Sequence, residues 1–377
     1  MKIVILLRIL MTAGAQKIAI NEAKVLQSMG NDVELVFLRG KKLPEYNEIL
    51  KGINYKIISE TGDSILSPLY QYVSHKFSPD RGSESRVDYN LIRKFPGYVK
   101  NKNIDYIICH DQLSGLGGYY SLRKMGIPYS VFIHERISYD RSSIFKRIWY
   151  YYEDKVLKNA SEVFAITDKV AETVAVSHHI DAKTNYPGMD ISRITKFSEK
   201  ENSILAVAMW DEGRKPELYL DIIKSLTGFT LQFVGNFRSK EFEDKFKEEI
   251  KKRKLEDIVI MKQGILESEL IDMFQKSKFV IRFGFGEFGL GTATIEALQN
   301  CVPLIVNSDL GSAELINSYS CGIVLKEINP SNIKMFINEN NNENSYNTLQ
   351  NNIIRLSNDY SWEAHSEKLL ISKNNQK

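Results

Sequence analysis

A rhythm that runs twice along the chain narrows the choice of fold more than any single residue. Short apolar runs alternate with longer amphipathic stretches, first over about 190 residues and then again to near the end. The first series predicts strands at Ile3–Leu7, Asp32–Leu38, Tyr55–Ile58, Tyr106–Cys109, Tyr129–Ile133 and Val163–Ile166. Helical patterns fall between them; Gln16–Ser28 has apolar residues at positions that include Ile18, Ala19, Ala23, Val25 and Leu26. Continuous apolar runs, as opposed to alternating ones, are what strands need when helices cover both faces of their sheet. Strand-then-helix repetition therefore predicts an α/β fold with a doubly wound parallel sheet.

The series restarts after Pro187-Gly188, a turn dipeptide that marks a domain boundary. Strands are expected at Ile204–Ala208, Thr230–Val234, Ile258–Met261, Phe279–Phe283 and Pro303–Val306. Two Rossmann-like domains in one chain would place a cleft between the carboxyl ends of two parallel sheets, where such folds take ligands. The Asn- and Glu-rich stretch Asn338–Asn347 reads as an exposed loop or weak helix end, and Ser372–Lys377 as a frayed terminus.

Charge excludes one class of partner. Lys plus Arg number 50 against 47 for Asp plus Glu, so the net +3 leaves no general surface for nucleic acid. The 3 cysteines, Cys109, Cys301 and Cys321, are far apart and odd in number, which argues against a disulfide framework or zinc site and fits the reducing cytoplasm. MKIVILLRIL has Arg8 inside its apolar run and no small-residue cleavage site, so it reads as a first strand and not as a signal peptide. No run approaches the length of a membrane-spanning helix.

The chemistry concentrates in GEFGLGTATIEAL, Gly286 to Leu298. An apolar strand leads into it, GFGEFGLG holds four glycines in eight residues, and a helical pattern follows from Thr292. A strand, a glycine-rich loop and a helix start aim backbone N–H groups and a helix dipole at phosphate. Glycine serves there because a Cβ would hold the ligand off the backbone. Glu287 and Glu296 flank the turn; carboxylates beside a phosphate would repel it, so sugar hydroxyls are their natural partners. A tight turn with two solvated glutamates is the plainer reading of the segment alone.

This segment resembles the glutamate-flanked donor motif of the family 4 retaining glycosyltransferases, which share the GT-B fold. The resemblance implies that Glu287 holds hydroxyls of the donor sugar, that the backbone of Gly289, Leu290, Gly291 and Thr292 holds the diphosphate, and that Glu296 holds the ribose. Eight residues separate the glutamates here, against the family's seven, so the loop is one residue longer. VAMWDEGRKPEL, Val207 to Leu218, resembles the family's loop in which an Arg and a later Lys clamp the leaving diphosphate. Arg214 stands where the Lys is expected, with Lys215 beside it, and Met209 stands where the Arg is expected. That removes one cation from the clamp, and Arg282 is a candidate replacement.

Further landmarks agree in order. TAGAQK, Thr12 to Lys17, is similar to the family's small-residue loop bordering acceptor and diphosphate, with Gly14 as its one glycine. IDYIICHDQLSGLGG ends a strand on His110, the matching position for the family's catalytically placed histidine, and YSVFIHER ends the next on His134. ASEVFAIT and YPGMD match the strand and linker before the second domain, and YSWE the start of a terminal helix that returns to the first. The implied domains are 1–190, joined by 360–377, and 191–359. The implied activity is retaining transfer of a sugar from a nucleotide-diphosphate sugar to a hydroxyl of a glycan or lipid-linked acceptor. His110 would orient donor or acceptor. No DxD motif is present, so no metal or other cofactor is expected.

Between Arg136 and Lys158, the basic residues Arg141, Lys146, Arg147, Lys155 and Lys158 interleave with Phe145, Trp149 and Tyr150–Tyr152. That mixture suits a peripheral contact with anionic lipid headgroups at the cytoplasmic membrane face; the alternative is a surface helix with its aromatics in the core. Two other functions remain open: a non-catalytic relative acting as a binding subunit, favoured by Met209 and the longer loop, and a nucleotide-sugar 2-epimerase on the same fold. A dehydrogenase is disfavoured because no GxGxxG follows the first strand.

Overall fold

The computed structural model of the chain describes residues 1–11, 14–40, 46–60, 89–137 and 141–371. It divides into two compact units, Met1–Pro187 with Trp362–Lys377, and Gly188–Ser361. Among the described residues the first unit carries a seven-stranded sheet. Its strands are β1 (Lys2–Ile9), β2 (Asp32–Arg39), β3 (Asn54–Ser59), β4 (Tyr106–His110), β5 (Tyr129–Ile133), β6 (Glu162–Ala165) and β7 (Lys183–Thr184). They lie in the order β3-β2-β1-β4-β5-β6-β7, and each paired neighbour is parallel. Ile3, Val4, Ile5 and Leu6 are all fully buried, as the central strand of a sheet covered on both faces requires.

The helix Gln112–Met125 packs closely on this sheet because its glycines leave room. A Cβ built on Gly118 would meet Cys109 Sγ at 2.8 Å and the Tyr129 ring at 2.7 Å. Asp111 caps the helix, its side chain accepting from Ser114 N at 2.8 Å, and Gly126 closes it in the left-handed conformation that glycine tolerates.

The second unit carries, among the described residues, a six-stranded sheet of β8 (Glu201–Val207), β9 (Thr230–Val234), β10 (Val259–Lys262), β11 (Ser277–Arg282), β12 (Leu304–Asn307) and β13 (Gly322–Leu325). The order is β10-β9-β8-β11-β12-β13, again parallel. Its core gathers Trp210, Tyr219, Phe233, Phe246 and Phe279, with Trp210 stacked on Phe233 at 3.8 Å. Each expected strand is present with its ends within three residues of those read from the sequence. The short strands β7 and β13 were not expected, having two and four residues and no long apolar run.

Of the two readings of Asn338–Asn347, the structure shows helix ends and not a loop: the helix Pro330–Asn340 closes within it and the helix Glu343–Asp359 starts within it. Asn342 caps the second helix, its side chain accepting from Ser345 N at 3.1 Å. Behind the polar start, Tyr346, Leu349, Ile353 and Leu356 form a buried stripe at helical spacing. Ser372–Lys377 lie outside the described residues.

Replacing Gly118 by Ala forces the helix Gln112–Met125 off the sheet. A loss of about 1–3 kcal/mol, the usual effect of overpacking, is expected as a lower urea midpoint at unchanged slope.

Candidate functional site

In the second sheet the strand order reverses between β8 and β11, and ligands of open α/β sheets bind outside the carboxyl ends at such a point. The two loops that leave these ends are the segments singled out above. After β8 the chain passes Met209, which is 58% exposed, buries Trp210, and makes a short turn over Glu212–Arg214. Lys215 follows in the left-handed conformation, and the helix Glu217–Ser225 begins beyond Pro216. After β11 come the glycine loop and the helix Thr292–Gln299, capped by Gly291 at φ 75.

Ion pairs join the loops. Glu287 Oε1 meets Arg214 Nη1 at 2.8 Å, and Glu287 Oε2 meets Arg282 Nη2 at 2.5 Å. Arg282, the last residue of β11, is buried, and it also donates to the carbonyl of Phe283. Lys215 Nζ lies 4.4 Å over the Phe285 ring. Burial pushes the Glu287 carboxyl up and the Arg214 charge opposes that. Two guanidiniums thus share one carboxylate, leaving net positive charge beside a helix start. The position a Cβ would take on Gly291 is 4.0 Å from Arg282 Nε, so this cation stands next to the first helical turn. Thr294 N and Ile295 N already donate to the Gly291 carbonyl at 3.0 and 3.3 Å, and the N–H groups of Thr292 and Ala293 ahead of them, together with Arg282 and Arg214, form a surface suited to an oxyanion. Glu296, partly exposed in the second turn, completes the segment.

The loop's shape is set from β12. Gly284 N donates to Asn307 Oδ1 at 2.9 Å and Gly284 O accepts from Asn307 Nδ2 at 2.7 Å. Gly311 N reaches the carbonyls of Glu287 and Gly289 at 3.1 and 3.2 Å. A Cβ on Gly311 would fall 1.8 Å from the Phe288 carbonyl oxygen, so only glycine permits this approach. Asn307 and Gly311 were not singled out from the sequence; their effect depends on a strand pairing that no local motif announces.

In the first sheet the order reverses between β1 and β4. His110 ends β4 and His134 follows β5. His110 is sealed, with both ring nitrogens engaged: Nδ1 with His134 Nε2 at 2.8 Å, and Nε2 with Glu22 Oε2 at 2.7 Å. Glu22 Oε1 meets His365 Nε2 at 2.8 Å, and His365 Nδ1 meets the Tyr186 carbonyl at 2.8 Å. The Phe132 ring stacks on His110 and His134. Burial works to raise the Glu22 carboxyl, but His110 first and then His365, each by its hydrogen bond and its charge, hold it down at about 2. Burial, with the His110 charge, pushes the His134 imidazole down to about 3. Glu22 sits on the helix Gly14–Ser28, whose first residue Gly14 is partly exposed. Thr12 and Ala13 lie outside the described residues. Glu22 and His365 were not foreseen, because an isolated Glu on an amphipathic helix reads as solvated. Among the described residues no cluster of His, Cys, Asp and Glu is grouped as a metal site would be.

Residues 12–193 match the model for Glycosyltransferase Family 4, and residues 189–355 that for Glycosyl transferases group 1. The chain belongs to the family 4 glycosyltransferases. Solved structures show the same GT-B fold. Anabaena HepE, crystallised with UDP and glucose, shares 14% identity at a TM-score of 0.76, covering 99% of each chain. Sucrose-phosphate synthase from Thermosynechococcus elongatus shares 13% at 0.72, covering 99% of this chain and 98% of its own. The lipopolysaccharide outer core galactosyltransferase WaaB shares 15% at 0.68, covering 99% and 100%. Among curated proteins no sequence matches.

The histidine cluster gives this glycosyltransferase an acid limb. Glu22 contributes stability that is present above its ordinary 4.5 and lost as pH falls towards about 2. His134 is neutral when folded but takes a proton from 6.5 downward when unfolded, so between 6.5 and about 3 acid favours the unfolded chain. Both act in one direction. Urea midpoints are expected to fall as pH is lowered from about 7 to about 5, with a smaller fall for His134→Ala.

Proposed function

We propose that this glycosyltransferase moves a sugar from a nucleotide-diphosphate sugar to a hydroxyl of a glycan or lipid-linked acceptor, with retention of configuration. The Arg214–Glu287–Arg282 junction beside the Gly291 helix start carries this reading. As the glycosidic bond to the leaving diphosphate breaks, negative charge grows on its oxygen. Arg214, Arg282, Lys215 and the amides of Gly289–Thr292 would stabilise it, already oriented before the reaction begins. Guanidinium suits this task because it is always charged and can bind two oxygens at once. In this reading Arg282 takes the place left by Met209, and protein cations in place of a metal ion balance the diphosphate. Glu287 keeps the two guanidiniums apart and aligned until the donor arrives, then turns to the sugar hydroxyls, while Glu296 takes the ribose. The solved complexes of Anabaena HepE with UDP and with UDP-glucose make uridine donors the first to try.

A ligand that binds only the folded state raises its apparent stability, so a thermal-shift panel of UDP-, GDP- and ADP-sugars is expected to yield one clear winner. Arg214→Ala, Arg282→Lys and Glu296→Ala are each expected to weaken that donor about ten- to a hundredfold. Unchanged affinity in all three would remove the site assignment. No shift with any nucleotide sugar would favour the non-catalytic reading, for which the exposed Met209 speaks.

The acceptor side has its own indication. In the helix Ile144–Asn159 only Glu153, Val156 and Leu157 are buried, while Ile144, Phe145, Ile148, Tyr151 and Tyr152 are exposed. The aromatics of this helix therefore do not fill the core, since Trp149 and Tyr150 are only half-buried. Ile144, Ile148, Tyr151 and Tyr152 recur at helical spacing, with Lys146, Arg147, Lys155 and Lys158 around them. Such a face lies on an anionic bilayer, its rings at the headgroup level and its cations among the phosphates. Among the described residues no helix is long and apolar enough to cross a membrane. Flotation with phosphatidylglycerol vesicles at low salt is expected to carry the protein upward, and Ile148→Glu with Tyr151→Glu to abolish this. A wild-type protein that stays behind would overturn the membrane reading.

A further inference from the structure

Beyond the end of β11 the chain leaves its strand neighbours, and side chains take four successive backbone groups. Phe283 N donates to the Tyr219 hydroxyl at 3.1 Å, and the Phe283 carbonyl accepts from Arg282 Nη1. Gly284 N and Gly284 O are both held by the Asn307 amide, at 2.9 and 2.7 Å. Tyr219 reaches in from the helix Glu217–Ser225, which follows β8, and Asn307 from the end of β12. The Tyr219 ring is sealed, edge-on to Trp210 at 5.3 Å and tilted against Phe283 at 5.2 Å, so packing fixes where its hydroxyl stands.

These contacts close a circuit. It runs from the Phe283 carbonyl through the Arg282 guanidinium to Glu287 Oε2, and from Glu287 Oε1 to Arg214 Nη1. Arg214 precedes Tyr219 on the same loop and helix start, and Tyr219 returns the circuit to Phe283 N. The two arginines are therefore spaced by two links, one a carboxylate and the other a phenol. Different things break them. Glu287 is partly exposed and held by charge, so another anion competes for the same guanidiniums. Tyr219 is fully buried, and burial pushes its ionisation up, so it meets Phe283 as a neutral hydroxyl that no anion displaces.

We propose that Tyr219 is a positioning residue for the donor: it keeps Arg214 and Arg282 at the spacing of a diphosphate while Glu287 is drawn away to the sugar. The role rests on the transferase reading for the identity of the ligand, but the link itself can be tested without one. As Glu287 leaves, two like charges face each other across the loops, and the phenol is the link of the circuit that still opposes their separation. Asn307 holds the neighbouring peptide from the β12 side, so the Phe283–Gly284 segment does not yield. The diphosphate then meets guanidiniums already in place, and none of its binding is spent on ordering them. Phenylalanine at position 219 would keep the ring packing and lose only the oxygen that Phe283 N needs.

Two measurements separate this role from plain packing. In the ligand-free chain, Tyr219→Phe, Glu287→Ala and the double variant form a cycle read by urea unfolding. Because each residue ties the same two loops, the double variant is expected to lose more stability than the two single losses together. Additive or smaller losses overturn the proposal. The second measurement needs only the single variant. UDP, GDP and ADP, each beside its monophosphate, are titrated calorimetrically into the wild type and Tyr219→Phe. The diphosphate that the wild type binds is expected to weaken about tenfold in Tyr219→Phe, the effect of one lost hydrogen bond. Its monophosphate, which one guanidinium can hold, is expected to bind unchanged. An equal fall for both nucleotides, or no fall for either, overturns the role of Tyr219. A wild type that binds none of the three diphosphates counts against the transferase reading instead, and the unfolding cycle still decides the link.

Discussion

A parallel strand buried on both faces has no place for polar chemistry along its length. Its backbone groups are taken by its neighbours, its side chains by the helices above and below, and only its ends are open. In both sheets the residues of the candidate sites stand at the carboxyl ends, while the polar residues within strands, such as Glu34 and Lys278, are taken up by hydrogen bonds to neighbouring side chains. Arg282 is the last residue of β11 and His110 the last of β4, and each stands beside the point where strand order reverses. The loops after β8 and β11, and the groups gathered around β1, β4 and β5, follow from the sheet order more than from any local preference.

Each end is organised by one carboxylate. Glu287 is shared by Arg214 and Arg282, and the cluster keeps a positive excess next to unsatisfied helical amides. Glu22 is shared by His110 and His365 and is fully sealed. The difference in solvent access sets the difference in role. A part-exposed carboxylate between two cations can be exchanged for another anion at modest cost. A sealed one cannot leave without stranding a charge, so it fixes geometry and proton positions instead. The asymmetry between the units is thus electrostatic, although their topologies are alike.

The strands were legible because burial on both faces writes a continuous apolar run, and the glycine loop because four glycines in eight residues have few other uses. The same reading missed β7 and β13, too short to leave a pattern, and left Asn338–Asn347 between loop and helix end, because capping asparagines resemble loop composition. Arg214, Lys215, Glu287 and Arg282 were picked out singly and are found in contact or within one loop of each other. Asn307, Gly311, Glu22 and His365 escaped notice. Each acts across a sequence distance that no periodicity spans, as His365 does on Glu22 from 343 residues away.

The histidines show where the division falls. That two of them stand at the carboxyl ends of adjacent parallel strands could be read from the chain, since strand ends are marked by where apolar runs stop. The exchange of exposure between them could not. His110 is enclosed because helices from opposite ends of the chain bring Glu22 and His365 to it, and His134 is left partly open because nothing described covers it. Local sequence sets which residues end a strand, through hydrophobic patterning. Which of those residues meets solvent, and in what protonation state, is set by burial and by partners that only the folded chain assembles.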